Sequence, residues 1–187
     1  GKDVVGIAQT GTGKTLAFGI PMIQRLSQVK GQGLVVLPTR ELALQVDEEL
    51  RKIGQGLGIR TAVLIGGTSM WPQKQALGRN PHIIIATPGR LIDHVEQRTL
   101  RLDGARIVVL DEADRMLDMG FLPQISRIFK ELPKERQTML FSATMPPEIM
   151  KMAAVHMKLP MRIEIAPTGS TAERVTQELF IGSRDQK

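Results

Sequence analysis

The sequence predicts an α/β domain, a mostly parallel sheet with helices on both faces. Three observations lead there. Short apolar runs rich in valine and isoleucine recur along the 187 residues, with helix-length stretches between them. Several runs are apolar at consecutive positions, as in strands buried on both sides. The polar motifs fall where these runs end, at the carboxyl edge where parallel sheets gather their ligands.

In chain order, the runs that predict strands are 4–8, 34–37, 61–65, 82–86, 107–110, 138–141 and 162–165. The stretches that predict helices are 15–28, 41–55, 71–77, 90–97, 124–131 and 147–157. In the second of these, Leu42, Val46, Leu50 and Ile53 repeat at helical spacing, with Glu49 breaking an otherwise apolar stripe. Strand alternating with helix is the signature of a parallel sheet. Residues 1–166 form the expected domain. The segment 167–176, containing Pro167, Gly169 and Ser170, reads as a linker, and 177–187 as the start of a second unit. The chain enters a strand almost at once, which suggests a piece of a longer protein.

Composition narrows the chemistry. The chain is 42% hydrophobic and 24% charged, ordinary for a globular domain. It has no cysteine, which excludes disulfides and thiolate metal sites and points to a reducing compartment. His82, His94 and His156 lack metal-ligand spacing, so surface or packing roles are expected. The ten methionines, Met116, Met119, Met150 and Met152 among them, suit core gaps and helix faces. No apolar run has the length of a membrane span. A net charge of +6 favours polyanionic partners. With 3% aromatic residues, no tyrosine and Trp71 as the one tryptophan, base-stacking platforms are not expected. A nucleic acid would be held mainly by its sugar–phosphate backbone, with little sequence specificity.

Ala8-Gln9-Thr10-Gly11-Thr12-Gly13-Lys14-Thr15 follows the first apolar run and opens a helix. That is the setting of a phosphate cradle: Gly11 and Gly13 let backbone N–H groups turn inward, and the helix amino terminus adds positive potential. Lys14 would reach the β- and γ-phosphates, and the Thr15 hydroxyl would ligate Mg²⁺. The general pattern has glycine where Ala8 stands. Far downstream, Asp111-Glu112-Ala113-Asp114 follows the apolar Ile107-Val108-Val109-Leu110. Carboxylates beside a buried strand are costly unless they serve its open end. Asp111 would hold Mg²⁺, partly through water, and Glu112 would orient or deprotonate an attacking water. A solvated turn with a capping aspartate is the plainer alternative.

Four further motifs end strands. Pro38-Thr39-Arg40 could meet a phosphate or merely cap a helix; Gly66-Gly67 could admit a backbone ligand or form a tight turn. Thr87-Pro88-Gly89-Arg90 opens a helix with proline, and its arginine could lie free at the surface. The first three loops together would make a track for one strand of nucleic acid. Ser142-Ala143-Thr144 carries small hydroxyls able to bond a neighbouring carboxylate, here Asp114, or to cap the next helix.

Taken together, these motifs resemble the first RecA-like domain of a DEAD-box ATP-dependent RNA helicase of superfamily 2, from Gly6 to about Ala166. The spelling Asp-Glu-Ala-Asp names that family, and its P-loop carries alanine at the position of Ala8. The resemblance implies a RecA-like P-loop NTPase fold using ATP and Mg²⁺. It implies RNA-backbone contacts at Pro38, Thr39, Arg40, Gly66, Gly67, Thr87, Pro88, Gly89 and Arg90. It gives Asp114, Ser142 and Thr144 a role in coupling nucleotide state to RNA unwinding. It also implies a second RecA-like domain beginning near residue 177, and an adenine-reading glutamine element upstream of Gly1. The isolated chain is then expected to be monomeric and nearly inactive. The expected setting is the cytoplasm, or the nucleus or nucleolus in a eukaryote. A DNA-directed superfamily 2 motor and a non-catalytic RNA clamp are the alternatives.

Overall fold

In the computed structural model, residues 1–9 and 13–164 are described. The strands are β1 (Val4–Ile7), β2 (Gln32–Val36), β3 (Thr61–Leu64), β4 (Ile83–Ala86), β5 (Ala105–Leu110), β6 (Gln137–Ser142) and β7 (Met161–Glu164). The helices are α1 (Lys14–Gln28), α2 (Arg40–Ile53), α3 (Met70–Gly78), α4 (Pro88–Glu96), α5 (Ala113–Asp118), α6 (Leu122–Glu131) and α7 (Pro147–His156). The strands form one sheet in the order β3-β4-β2-β5-β6-β1-β7, and every recorded pairing is parallel.

The two-residue period of the central strands divides the core. Leu34, Val36, Ile84, Ala86, Val108 and Leu110 face the layer of α4–α7. Their neighbours Val35, Ile83, Ile85, Ile107 and Val109 face α1 and α2, where Phe18, Met22, Val46 and Leu50 pack. Each such fully buried Leu, Ile or Phe contributes about 1.5–3 kcal/mol relative to an exposed one. At the opposite edge of the sheet from the motifs, the Asp3 carboxylate accepts N–H bonds from Thr138 at 2.7 Å and Lys158 at 2.6 Å, tying the start of β1 to its surroundings.

The structure adds one element and shifts others. Helix α5 was not foreseen: at six residues it is too short for a periodic signal, and it starts inside the acidic motif. Strand β7, expected at 162–165, lies at Met161–Glu164 and is exposed along its whole length because it forms the sheet edge. Helix α1 begins at Lys14, one residue before the expected start. The expected linker and second unit, residues 167–187, lie outside the described residues. No helix among the described residues is long and apolar enough to cross a membrane.

Candidate active site and nucleic-acid interface

At the carboxyl edge of the sheet, two distant parts of the chain meet. The Lys14 Nζ lies 3.2 Å from Asp111 Oδ1, and both side chains are only 8% exposed. Lys14 is the first residue of α1, directly after Gly13, which caps the helix in the left-handed conformation (φ 78°) that glycine adopts without strain. Thr10, Gly11 and Thr12, the middle of the expected cradle, lie outside the described residues. Ala8 is buried and donates its N–H to the Ser142 carbonyl at 3.0 Å, and Gln9 is exposed.

The acidic motif turns sharply. Glu112 adopts φ 56° and ψ 51°, a left-handed conformation that costs a non-glycine residue roughly 1–2 kcal/mol. In return, its N–H donates to Asp111 Oδ1 at 2.9 Å, and its carboxylate meets Arg115 Nη1 at 3.2 Å. Strain of this kind concentrates at functional positions. Burial pushes the Asp111 carboxyl above its ordinary value, even with the Lys14 ammonium beside it. Asp111 and Glu112 are thus buried groups held in place by specific partners, and the solvated turn is ruled out.

Behind them, Asp114 joins β5's motif to β6's. Its carboxylate Oδ2 accepts from the Thr144 N–H at 2.9 Å and the Thr144 hydroxyl at 3.0 Å. Its own N–H donates to Ser142 Oγ at 3.0 Å. Burial raises the Asp114 carboxyl, but the bonds from Thr144, Arg115 and Ser142 outweigh it and leave the group below its ordinary value. The expected hydroxyl–carboxylate bond is made by Thr144, and Ser142 Oγ in addition accepts from the Asp114 N–H.

Beside this cluster opens a cleft of about 690 Å³, lined by Lys14, Thr15, Asp111, Glu112 and Arg115 and floored by residues of α2 such as Gln45 and Val46. The α2 wall and Arg115 escaped the sequence reading. Arg115 sits three residues from Glu112, a spacing that carries meaning only once α5 is known. Mg²⁺ is usually held by one or two carboxylates with substrate phosphates and waters, not by a protein cage. Thr15 and Asp111 on one cleft fit that habit.

The other three loops follow β2, β4 and β3, which are contiguous in the sheet. Pro38 is buried, and Thr39 Oγ1 caps α2 by accepting from the Leu42 N–H at 3.3 Å, so the helix-cap alternative holds for that lone pair. Arg40 is exposed and reaches over Gly67, whose φ is 69° and whose missing Cβ leaves room for that guanidinium. Gly66 stands beside it, half-buried. Thr87 is buried and makes no side-chain cap, although Pro88 opens α4 with Gly89 next to it. Arg90 is not the free surface arginine of the plain alternative. Its Nη1 donates to the Thr68 carbonyl at 2.9 Å and its Nε lies 3.3 Å from Asp93, binding the β4 loop to the β3 loop.

Beneath these loops lies a polar brace invisible in the sequence. Gln73 Nε2 donates to the Ile65 carbonyl at 3.0 Å and to Thr68 Oγ1 at 2.9 Å. Its Oε1 lies 3.0 Å from His94 Nε2, and His94 Nδ1 lies 2.8 Å from Thr99 Oγ1. Burial pushes the His94 imidazole below its ordinary value.

A parallel sheet carrying a glycine-capped lysine opposite a strand-terminal aspartate defines a nucleotide-binding domain of the P-loop class. A sequence model of the DEAD/DEAH box helicase family matches residues 1–152. The chain belongs to that family. It is 49% identical, over its whole length, to the DEAD-box ATP-dependent RNA helicase CshA of Bacillus licheniformis, covering 38% of that protein. A second relative, the ATP-dependent RNA helicase CshA of Listeria monocytogenes, is 49% identical over 95% of the chain and 34% of its own length. The chain thus spans little more than a third of these curated relatives. Among solved structures, a DEAD box protein from Methanococcus jannaschii superimposes with TM-score 0.84 at 37% identity, over 89% of this chain and 46% of that one. The yeast DEAD-box splicing factor Prp28 does so with TM-score 0.85 at 34% identity, over 91% and 43%. The RecA-like fold expected from the sequence is the fold observed.

Proposed function

We propose that the chain is the ATP-binding domain of an ATP-dependent RNA helicase, coupling ATP hydrolysis to RNA duplex unwinding or RNP remodelling. The observation that carries this is the 3.2 Å approach of Lys14 to Asp111, beside a cleft that Thr15 and Glu112 share.

In this assignment Lys14 exchanges its aspartate partner for the β- and γ-phosphates of ATP, with the glycine-capped start of α1 directed at the same oxygens. Thr15 and Asp111 would hold Mg²⁺, which supplies charge neutralisation of the phosphates when bound. Glu112, fixed by its left-handed turn and by Arg115, takes the proton of the water that attacks the γ-phosphorus. Phosphoryl transfer needs positive charge on both sides of the γ-phosphate. The cleft presents Lys14 from one side; the other side is assigned to a second RecA-like domain of the same protein. RNA lies along Thr39, Arg40, Gly66, Gly67, Thr87 and Arg90, held by its backbone. Asp114, Ser142 and Thr144 join the two halves.

The test is ATP turnover by the full-length enzyme with and without nucleic acid. Stimulation by RNA and not by DNA supports the assignment. Equal stimulation by DNA would replace it with a DNA-directed motor, and undiminished turnover in Lys14→Ala would remove the site.

A further inference from the structure

One stretch of this basic chain has no counter-charge of its own. Between Glu49 and Asp93 there is no Asp or Glu, while Arg51, Lys52, Arg60, Lys74, Arg79 and Arg90 all fall within it. The segment builds β3, the sheet edge, and α3, which packs beside it. Arg51 and Lys52 pair back onto Asp47 and Glu48 of α2, and Arg90 pairs with Asp93. Lys74 and Arg79 form no ion pair among the described residues.

Their placement is ordered. Trp71, Lys74, Gln75 and Gly78 stand at i, i+3, i+4 and i+7, one face of α3, and with Arg79 they line a hollow of about 470 Å³. Trp71 is 68% exposed, although a tryptophan usually buries its large ring. Arg79 also lines a second hollow of about 330 Å³, together with Arg51 and Arg60, so the two share a wall. Arg60 donates to the carbonyls of Arg79 at 3.2 Å and Asn80 at 3.0 Å, fixing the end of α3. The inward face is equally fixed, through Gln73. The upper end of this face adjoins the Gly66–Gly67 loop, since Ser69 caps α3 by accepting from the Trp71 N–H at 3.3 Å.

We infer that the outer face of α3 is an accessory site for single-stranded RNA, with one base stacked on Trp71 and the neighbouring phosphates held by Lys74 and Arg79. It rests on the RNA track proposed above, which it extends beyond Gly67 along α3. The ring stands among Lys74, Gln75, Gly78 and Arg79, with no aliphatic side chain in its hollow to seat a peptide's apolar anchor. A lone aromatic ring beside two unpaired cations suits a planar base on a phosphate backbone. It provides a single stacking point, not a platform.

The sole tryptophan reports on its own site. Titrating the chain with oligouridylates of increasing length should quench Trp71 fluorescence, with long oligomers binding more tightly than those filling only the track. Trp71→Ala, followed by anisotropy of labelled RNA, should weaken long-oligomer binding about five- to tenfold and leave short oligomers unchanged. Lys74→Ala with Arg79→Ala should reduce the slope of log K against log salt by about 1.4. Circular dichroism with thermal melting checks that these surface variants keep the fold. If Arg40→Ala weakens RNA binding while the α3 variants change neither affinity nor salt slope, the accessory site is wrong and the track stands. If the wild-type chain binds no RNA, both fall. Quenching by polyglutamate and not by RNA would make the face a site for acidic protein and overturn the proposal.

Discussion

The sheet has two halves that differ in how they hold their loops. On the side of β5, β6 and β1, side chains meet one another: Lys14 with Asp111, Glu112 with Arg115, Asp114 with Thr144. On the side of β3, β4 and β2, the loops themselves are held by side chains on backbone, over a side-chain brace: Arg90 on the Thr68 carbonyl, Gln73 on the Ile65 carbonyl, Arg40 over Gly67. The first half offers charge at fixed points, as chemistry at a phosphorus atom requires. The second offers a shaped edge with exposed cations, as suits a repeating backbone read without regard to sequence. Both are built by the same device, a loop leaving a buried parallel strand.

Mutations should separate the halves. The largest effect is expected from Glu112→Gln in the full-length enzyme, with kcat for ATP falling about 10²–10⁴-fold and RNA affinity retained. Steady-state turnover and RNA anisotropy measure the two, and a joint loss would dissolve the division. Next, Arg90→Ala removes a charged bond to the Thr68 carbonyl, worth about 1.5–3 kcal/mol. It should lower stability in urea and weaken RNA binding without changing nucleotide affinity. Gly67→Ala places a side chain at φ 69° against Arg40, costing about 1–2 kcal/mol by the same denaturation assay, again on the RNA side alone. Thr144→Val deletes one bond to Asp114 but keeps the backbone bond, so about 1 kcal/mol or less is at stake. Its expected signature is ATP turnover that persists while duplex unwinding falls.

The smallest effect is pH-dependent and belongs to the brace under the RNA side. With His94 held below its ordinary value, the folded chain binds fewer protons than the unfolded one. Its contribution to stability is therefore full above the unfolded value near 6.5 and is lost as pH falls through the lower folded value. Thermal midpoints across this window should fall on acidification, and less steeply in His94→Gln.

Legibility in the sequence followed the same division. The consecutive apolar residues of β2, β4 and β5 announced their burial; Asp111-Glu112 lay at the end of β5, and Gly13-Lys14-Thr15 came after β1. The meeting of Lys14 with Asp111 follows once those strands share a sheet, because all parallel strands open at one edge. The brace of Gln73, His94 and Thr99 was hidden, since an isolated glutamine or histidine carries no spacing signal and its meaning arises only by contact. Helix α5 was hidden by brevity, and the exposure of β7 by its edge position, which alternation cannot reveal in four residues.

The Lys14–Asp111 pair also has a thermodynamic consequence. Under the assignment proposed above, each residue occupies the place of the other's eventual partner, so Lys14 captured by phosphate alone leaves a buried carboxylate without a counter-ion. Asp111 captured by a cation alone strands a buried ammonium. Arriving together, triphosphate and magnesium satisfy both. The two ligands are thereby made cooperative, and calorimetric titration of ATP should show markedly tighter binding with magnesium present, a difference that shrinks in Asp111→Asn.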